Sequence, residues 1–119
     1  MIVKYTEIFK LKVMLDEENI PYEFLDRSHI NYEKHELEKP FYQIVVYYPN
    51  QEEFEEPLRL ISVIQGWGSY GESQDLLEIQ GLLTGKERKY DSVAGHLTAK
   101  EVFKRIKKYY NKLKEENNE

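Results

Sequence analysis

Residues Phe41-Tyr42-Gln43-Ile44-Val45-Val46-Tyr47-Tyr48 form a nearly unbroken aromatic and β-branched run, closed by Pro49-Asn50. Side chains of this kind suit a pleated surface with little exposure, and the proline-asparagine pair ends it, so the run predicts a central strand. A central strand needs neighbours and cover. After the acidic stretch Gln51 to Pro57, the chain returns as Leu58-Arg59-Leu60-Ile61-Ser62-Val63-Ile64-Gln65, which predicts an antiparallel hairpin with a long loop. Tyr22 to Asp26 reads as a short strand, and Arg27 to Lys39 as a charged connector without a clear period. Leu76 to Leu83 fits a strand or a short helix; Gly81 weakens a helix, so a strand completing a meander is expected.

Two helices supply the cover. Ile8, Leu11 and Leu15 recur at helical spacing between Thr6 and Asn19, where Ile20-Pro21 ends the helix because the residue before proline is pushed out of the α region. Phe9, Val13 and Met14 lie off that stripe, so this helix is apolar on more than one side, through deep burial or a subunit contact. At the other end, Thr98-Ala99-Lys100-Glu101 is a capping box opening an amphipathic helix. Its apolar arc holds Val102, Phe103, Ile106, Tyr109, Tyr110 and Leu113, and its lysines fall outside. Gly81-Leu82-Leu83-Thr84-Gly85-Lys86-Glu87 echoes the same pattern and predicts a single capped turn through Tyr90.

These elements predict one α+β domain spanning 1–119, a mostly antiparallel sheet of about four strands packed against an N-terminal and a C-terminal helix. Ile44, Val46, Leu60, Ile64, Phe103 and Ile106 are its expected core, and residues 115–119 its expected disordered tail. With 40% hydrophobic and 33% charged residues, the chain lies outside the regime of disordered sequences.

Without cysteine, thiolate nucleophiles and Cys-based metal sites are excluded, and a cytoplasmic setting is expected. No membrane partner is expected, because the longest apolar run, Ile44 to Tyr48, is too short to span a bilayer. Residues 1–57 carry 13 acids against 6 bases and residues 58–119 carry 9 against 11, so a nucleic-acid partner would have to rest on a local basic patch and is not the expected one.

Motifs of catalysis are incomplete. Gly66-Trp67-Gly68-Ser69-Tyr70-Gly71 spells a dinucleotide fingerprint, but it follows a hairpin and has no βαβ context. Ser69 lacks the first glycine of a nucleophile elbow, and His35-Glu36-Leu37-Glu38-Lys39 has lysine where a zincin needs histidine. No catalytic residue, metal site or cofactor is therefore assigned.

What is left is a binding surface. Trp67 and Tyr70, with Ser69 between them, stand in a glycine-rich turn where the tryptophan either projects as an anchor or folds back over the sheet edge. Phe54 among Glu52, Glu53, Glu55 and Glu56 offers an apolar point in an acidic loop. The expected function is non-catalytic binding of a protein partner or of a second copy. The alternatives are a nucleic-acid-associated protein using the basic face of the C-terminal helix, and an enzyme using carboxylate acid–base chemistry.

Ser69-Tyr70-Gly71, Leu76 to Ile79, Gly81 to Thr84, Asp91-Ser92-Val93, Gly95, Leu97-Thr98-Ala99 and Val102-Phe103 resemble a group of small uncharacterised proteins of bacterial and phage or prophage genomes. The resemblance covers the C-terminal half. It implies a phage or mobile-element accessory protein and brings no catalytic residue or cofactor with it.

Overall fold

The computed structural model describes residues 5–47 and 60–117. Along the chain run α1 (Glu7–Glu17), β1 (Glu23–Asp26), β2 (His29–Asn31), β3 (Glu36–Lys39), β4 (Phe41–Tyr47) and β5 (Leu60–Gly66). A 3-10 turn (Glu72–Gln74), β6 (Leu77–Gln80), α2 (Gly85–Tyr90), β7 (Ala94–Leu97) and α3 (Ala99–Asn117) follow. Five strands form one antiparallel sheet in the order β1-β4-β5-β6-β7, covered by α1 and α3. The α+β class is as predicted, with β7 making the fifth strand. Among the described residues no helix is long and apolar enough to cross a membrane.

Ile8, Leu11 and Leu15 of α1 and Val102 and Ile106 of α3 are fully buried against Ile44, Val46, Ile61 and Val63. Leu60 and Ile64 are only half-buried, which corrects their expected place in the core. Strand alternation puts Leu60, Ser62 and Ile64 on one face and Ile61, Val63 and Gln65 on the other. Both sets are largely apolar, and the glutamine marks the buried one, which hides its parity. Phe103 is half-buried, packed against the core rather than inside it.

The connector 27–39 is also corrected, because it contains β2 and β3 as a two-stranded ribbon that continues the β1–β4 hairpin. Its turn is built by Asn31, whose side-chain oxygen accepts the Glu33 and Lys34 amides at 3.1 and 3.2 Å. An asparagine closing on amides two and three residues ahead is a turn signal that the surrounding charge obscures.

The helix ends are tied to one another. At the end of α1, Asn19 is left-handed (φ 55°) and the Ile20 amide reaches back to the Leu15 carbonyl, so a C-terminal cap stops the helix before Pro21 acts. Thr6 caps nothing with its own side chain; Asp75, 69 residues away, receives both its amide and its hydroxyl. Glu7 in turn accepts the Ala99 amide at 3.1 Å, holding the start of α3, while Lys10 Nζ lies 3.1 Å from its second oxygen. Thr98 adds its hydroxyl, accepting the Glu101 amide at 3.1 Å. The last residues of α3 replace part of the expected tail at 115–119, since the helix runs through Asn117.

Thr84 and Glu87 complete a reciprocal capping box on α2, and Arg105 of α3 grips the same Glu87 with both guanidinium nitrogens, at 2.8 and 2.9 Å. Hydrogen bonding from Arg105 holds the Glu87 carboxyl down to about 2 against an ordinary 4.5, with burial opposing. A depressed carboxylate stabilises the fold above its unfolded pKa. We therefore expect this contribution to be complete above pH 4.5 and to vanish as pH falls toward 2. Denaturation curves taken through that window should show the loss, and Arg105→Met should flatten it; an unchanged slope in that variant would refute the assignment.

Candidate functional site

β5 ends at Gly66, paired with Phe41 at the start of β4, and the chain must then turn within a few residues toward β6. The Trp67 amide donates to the Pro40 carbonyl at 3.1 Å and the Ser69 amide to the Gly66 carbonyl at 3.0 Å. Ser69 Oγ accepts the Gly66 amide at 3.0 Å and donates to the Gly66 carbonyl at 2.7 Å. The buried Ser69 is thus a staple of the turn, with its hydroxyl consumed.

Three carboxylates fix the rest. Glu72 accepts the Gly68 amide at 3.1 Å on one oxygen and the Tyr5 hydroxyl at 2.9 Å on the other. Glu78, reaching up from β6, accepts the Tyr70 amide at 2.9 Å. Asp75 accepts the Thr6 amide at 2.8 Å and Gln65 Nε2 at 2.6 Å, and Gln65 Oε1 accepts the Ile8 amide at 3.0 Å. Burial works to raise the Asp75 pKa, but the donors from Thr6, Gln65 and Glu7 outweigh it and the carboxyl is held below its ordinary value. Burial, then the bond to Glu72, push the Tyr5 hydroxyl above its ordinary range. These acids act as acceptors for donors of the turn, of Gln65 and of the start of α1, the Thr6 and Tyr5 hydroxyls among them.

On this framework the two aromatic rings point outward. Trp67 is 59% and Tyr70 50% exposed. The alternative in which Trp67 folds back over the sheet edge is not what the turn adopts. Lys39, at the end of the β2–β3 ribbon, sets its ammonium 4.3 Å from the centroid of the Trp67 ring. Tyr70 instead lies over β7: a Cβ on Gly95 would come within 2.2 Å of Tyr70 Cβ, so glycine is what admits the tyrosine. Trp67, Ser69 and Tyr70 therefore share one turn, while Phe54 lies outside the described residues. Lys39, Glu72 and Glu78 escaped the sequence reading. The legible signal was the carboxylate spacing just after the glycine-rich stretch.

Along α3, Phe103, Lys104, Lys107, Lys108 and Lys112 line a shallow open groove. Lys107 pairs with Glu18 at 3.0 Å, and the Tyr110 hydroxyl donates to the Tyr47 carbonyl at 3.3 Å, which turns that ring toward the sheet and away from the lysines. Among the described residues no group of three or more His, Asp or Glu side chains is placed to hold a metal ion. No protein-family model, curated protein or solved structure matches the chain.

Proposed function

We propose that this chain is a non-catalytic accessory protein that binds a protein partner, with Trp67 as the anchor and Tyr70 beside it. The observation that carries the reading is the contrast within one turn. The amides of Trp67, Gly68, Ser69 and Tyr70 each meet a named acceptor, yet the two largest side chains are left outside. A rigid turn presenting aromatic rings loses little entropy on binding, and Trp and Tyr dominate the affinity of protein interfaces. If the C-terminal half belongs with the small bacterial and phage or prophage proteins that it resembles, a host or phage component is the expected partner. The commitment of Glu72, Asp75 and Glu78 to structural donors favours binding over acid–base chemistry.

Trp67→Ala is the test. The ring gives up an exposed cation contact, so folding stability should fall by no more than about 1 kcal/mol. Retention of a specific partner from a lysate of the source cell, or affinity for that partner once purified, should fall about tenfold or more. Undiminished binding by the variant would remove Trp67 as the anchor.

A further inference from the structure

Among the described residues the sheet has two edges, and only the β7 edge is blunted. β7 carries a register shift against β6, a left-handed His96 (φ 59°) and the overlying Tyr70. β1 pairs with β4 in unbroken register. The Arg27 amide donates to the Phe41 carbonyl, so the alternation of an antiparallel ladder turns Glu23 and Leu25 toward β4 and leaves the N–H and C=O of Phe24 and Asp26 facing outward. Beside this edge α1 exposes Phe9 (42%) and Val13 (54%), with the Phe9 ring 5.7 Å from that of Phe24. A regular edge flanked by exposed apolar side chains is a template for another strand.

We propose that the occupant is a second copy of this chain, its β1 antiparallel to the first about a two-fold axis through Leu25. Charge selects both the partner and the register. With Phe24 exchanging hydrogen bonds with Asp26 of the second copy, Leu25 meets Leu25 and Glu23 lies opposite Arg27, twice by symmetry, all on the face away from the helices. A shift of two residues one way sets Asp26 against Asp26. A shift the other way sets Glu23 against Leu25 and Arg27 against Pro21. Only the first arrangement sets Glu23 against Arg27 at both ends and keeps the two Asp26 side chains apart, each opposite Phe24, and it joins the two sheets into one of ten strands with Phe9 and Val13 of both copies bordering the join. The surface is separate from the Trp67 turn, which lies beyond β4 at the end of β5.

The full chain should sediment as a species of twice the chain mass at high concentration and dissociate on dilution. Arg27→Glu places like charges opposite each other at both ends and should raise the dissociation constant about tenfold or more. Glu23→Arg combined with Arg27→Glu restores opposite charges and should recover the dimer, with all variants melting close to the parent. A monomer at every concentration overturns the proposal, as does a dimer indifferent to Arg27→Glu or one the double variant fails to recover.

Discussion

Asp75→Ala is expected to destabilise the fold by about 3–4 kcal/mol, a large part of the roughly 5–15 kcal/mol that holds a domain of this kind together. One carboxylate accepts the Thr6 amide at 2.8 Å, the Thr6 hydroxyl, the Glu7 amide at 3.4 Å and Gln65 Nε2 at 2.6 Å. Loss of a helix cap costs about 1–2 kcal/mol, and a buried amide left without its acceptor about 1–3. Gln65 is wholly buried, so loss of the carboxylate leaves its Nε2 without that acceptor. Asp75 itself is left-handed (φ 56°), so alanine adds about 1 kcal/mol of backbone strain while the separate losses overlap. Asp75→Asn tolerates that backbone and keeps an acceptor, so it should cost less than half as much. Urea denaturation would show the midpoint falling with an unchanged slope, and α1 amides should exchange faster than those of α3. A loss below about 0.5 kcal/mol would mean that Asp75 caps nothing of consequence.

That network marks the limit of what the chain discloses as a sequence. β4, the stripe on α1 and the start of α3 were legible because each is written in consecutive residues whose period or cap is local. Asp75 and Thr6 are 69 positions apart, and nothing near either one announces the other. Gln65 is the sharper case. A polar side chain ending an apolar strand reads as a residue turning to solvent, whereas here its amide bridges Ile8 and Asp75 at zero exposure. Its burial is decided by the arrival of α1, which selects the face of β5 opposite to Leu60 and Ile64, the residues expected in the core. The candidate site divides in the same way. Trp67 and Tyr70 stood out by residue type and by the glycines around them, but that the rings face outward depends on Glu72 and Glu78 taking the Gly68 and Tyr70 amides.

Gly66→Ala should cost about 2–3 kcal/mol, although nothing in the backbone at this position demands glycine. Gly68 and Gly71 have φ of 87° and 91°, the left-handed region that their place in the turn suggests, whereas Gly66 does not. Its requirement comes from across the strands. Phe41, its partner in β4, lays its ring over the glycine, and a Cβ there would lie 2.4 Å from Phe41 Cδ2, 2.6 Å from Cγ and 2.7 Å from Cα. The ring could swing aside; the Cα belongs to the paired strand and cannot move without breaking the ladder. Phe41→Ala should therefore relieve only part of the cost in a double-mutant cycle, leaving about 1 kcal/mol that belongs to the backbone contact. Because Ser69 is bonded to both the N–H and the C=O of Gly66, displacement at this point passes directly into the Trp67 turn. Partner binding should weaken along with stability, in contrast to Trp67→Ala, where binding falls alone. Full relief by Phe41→Ala would show that the ring, and not the strand pairing, is what excludes a side chain here.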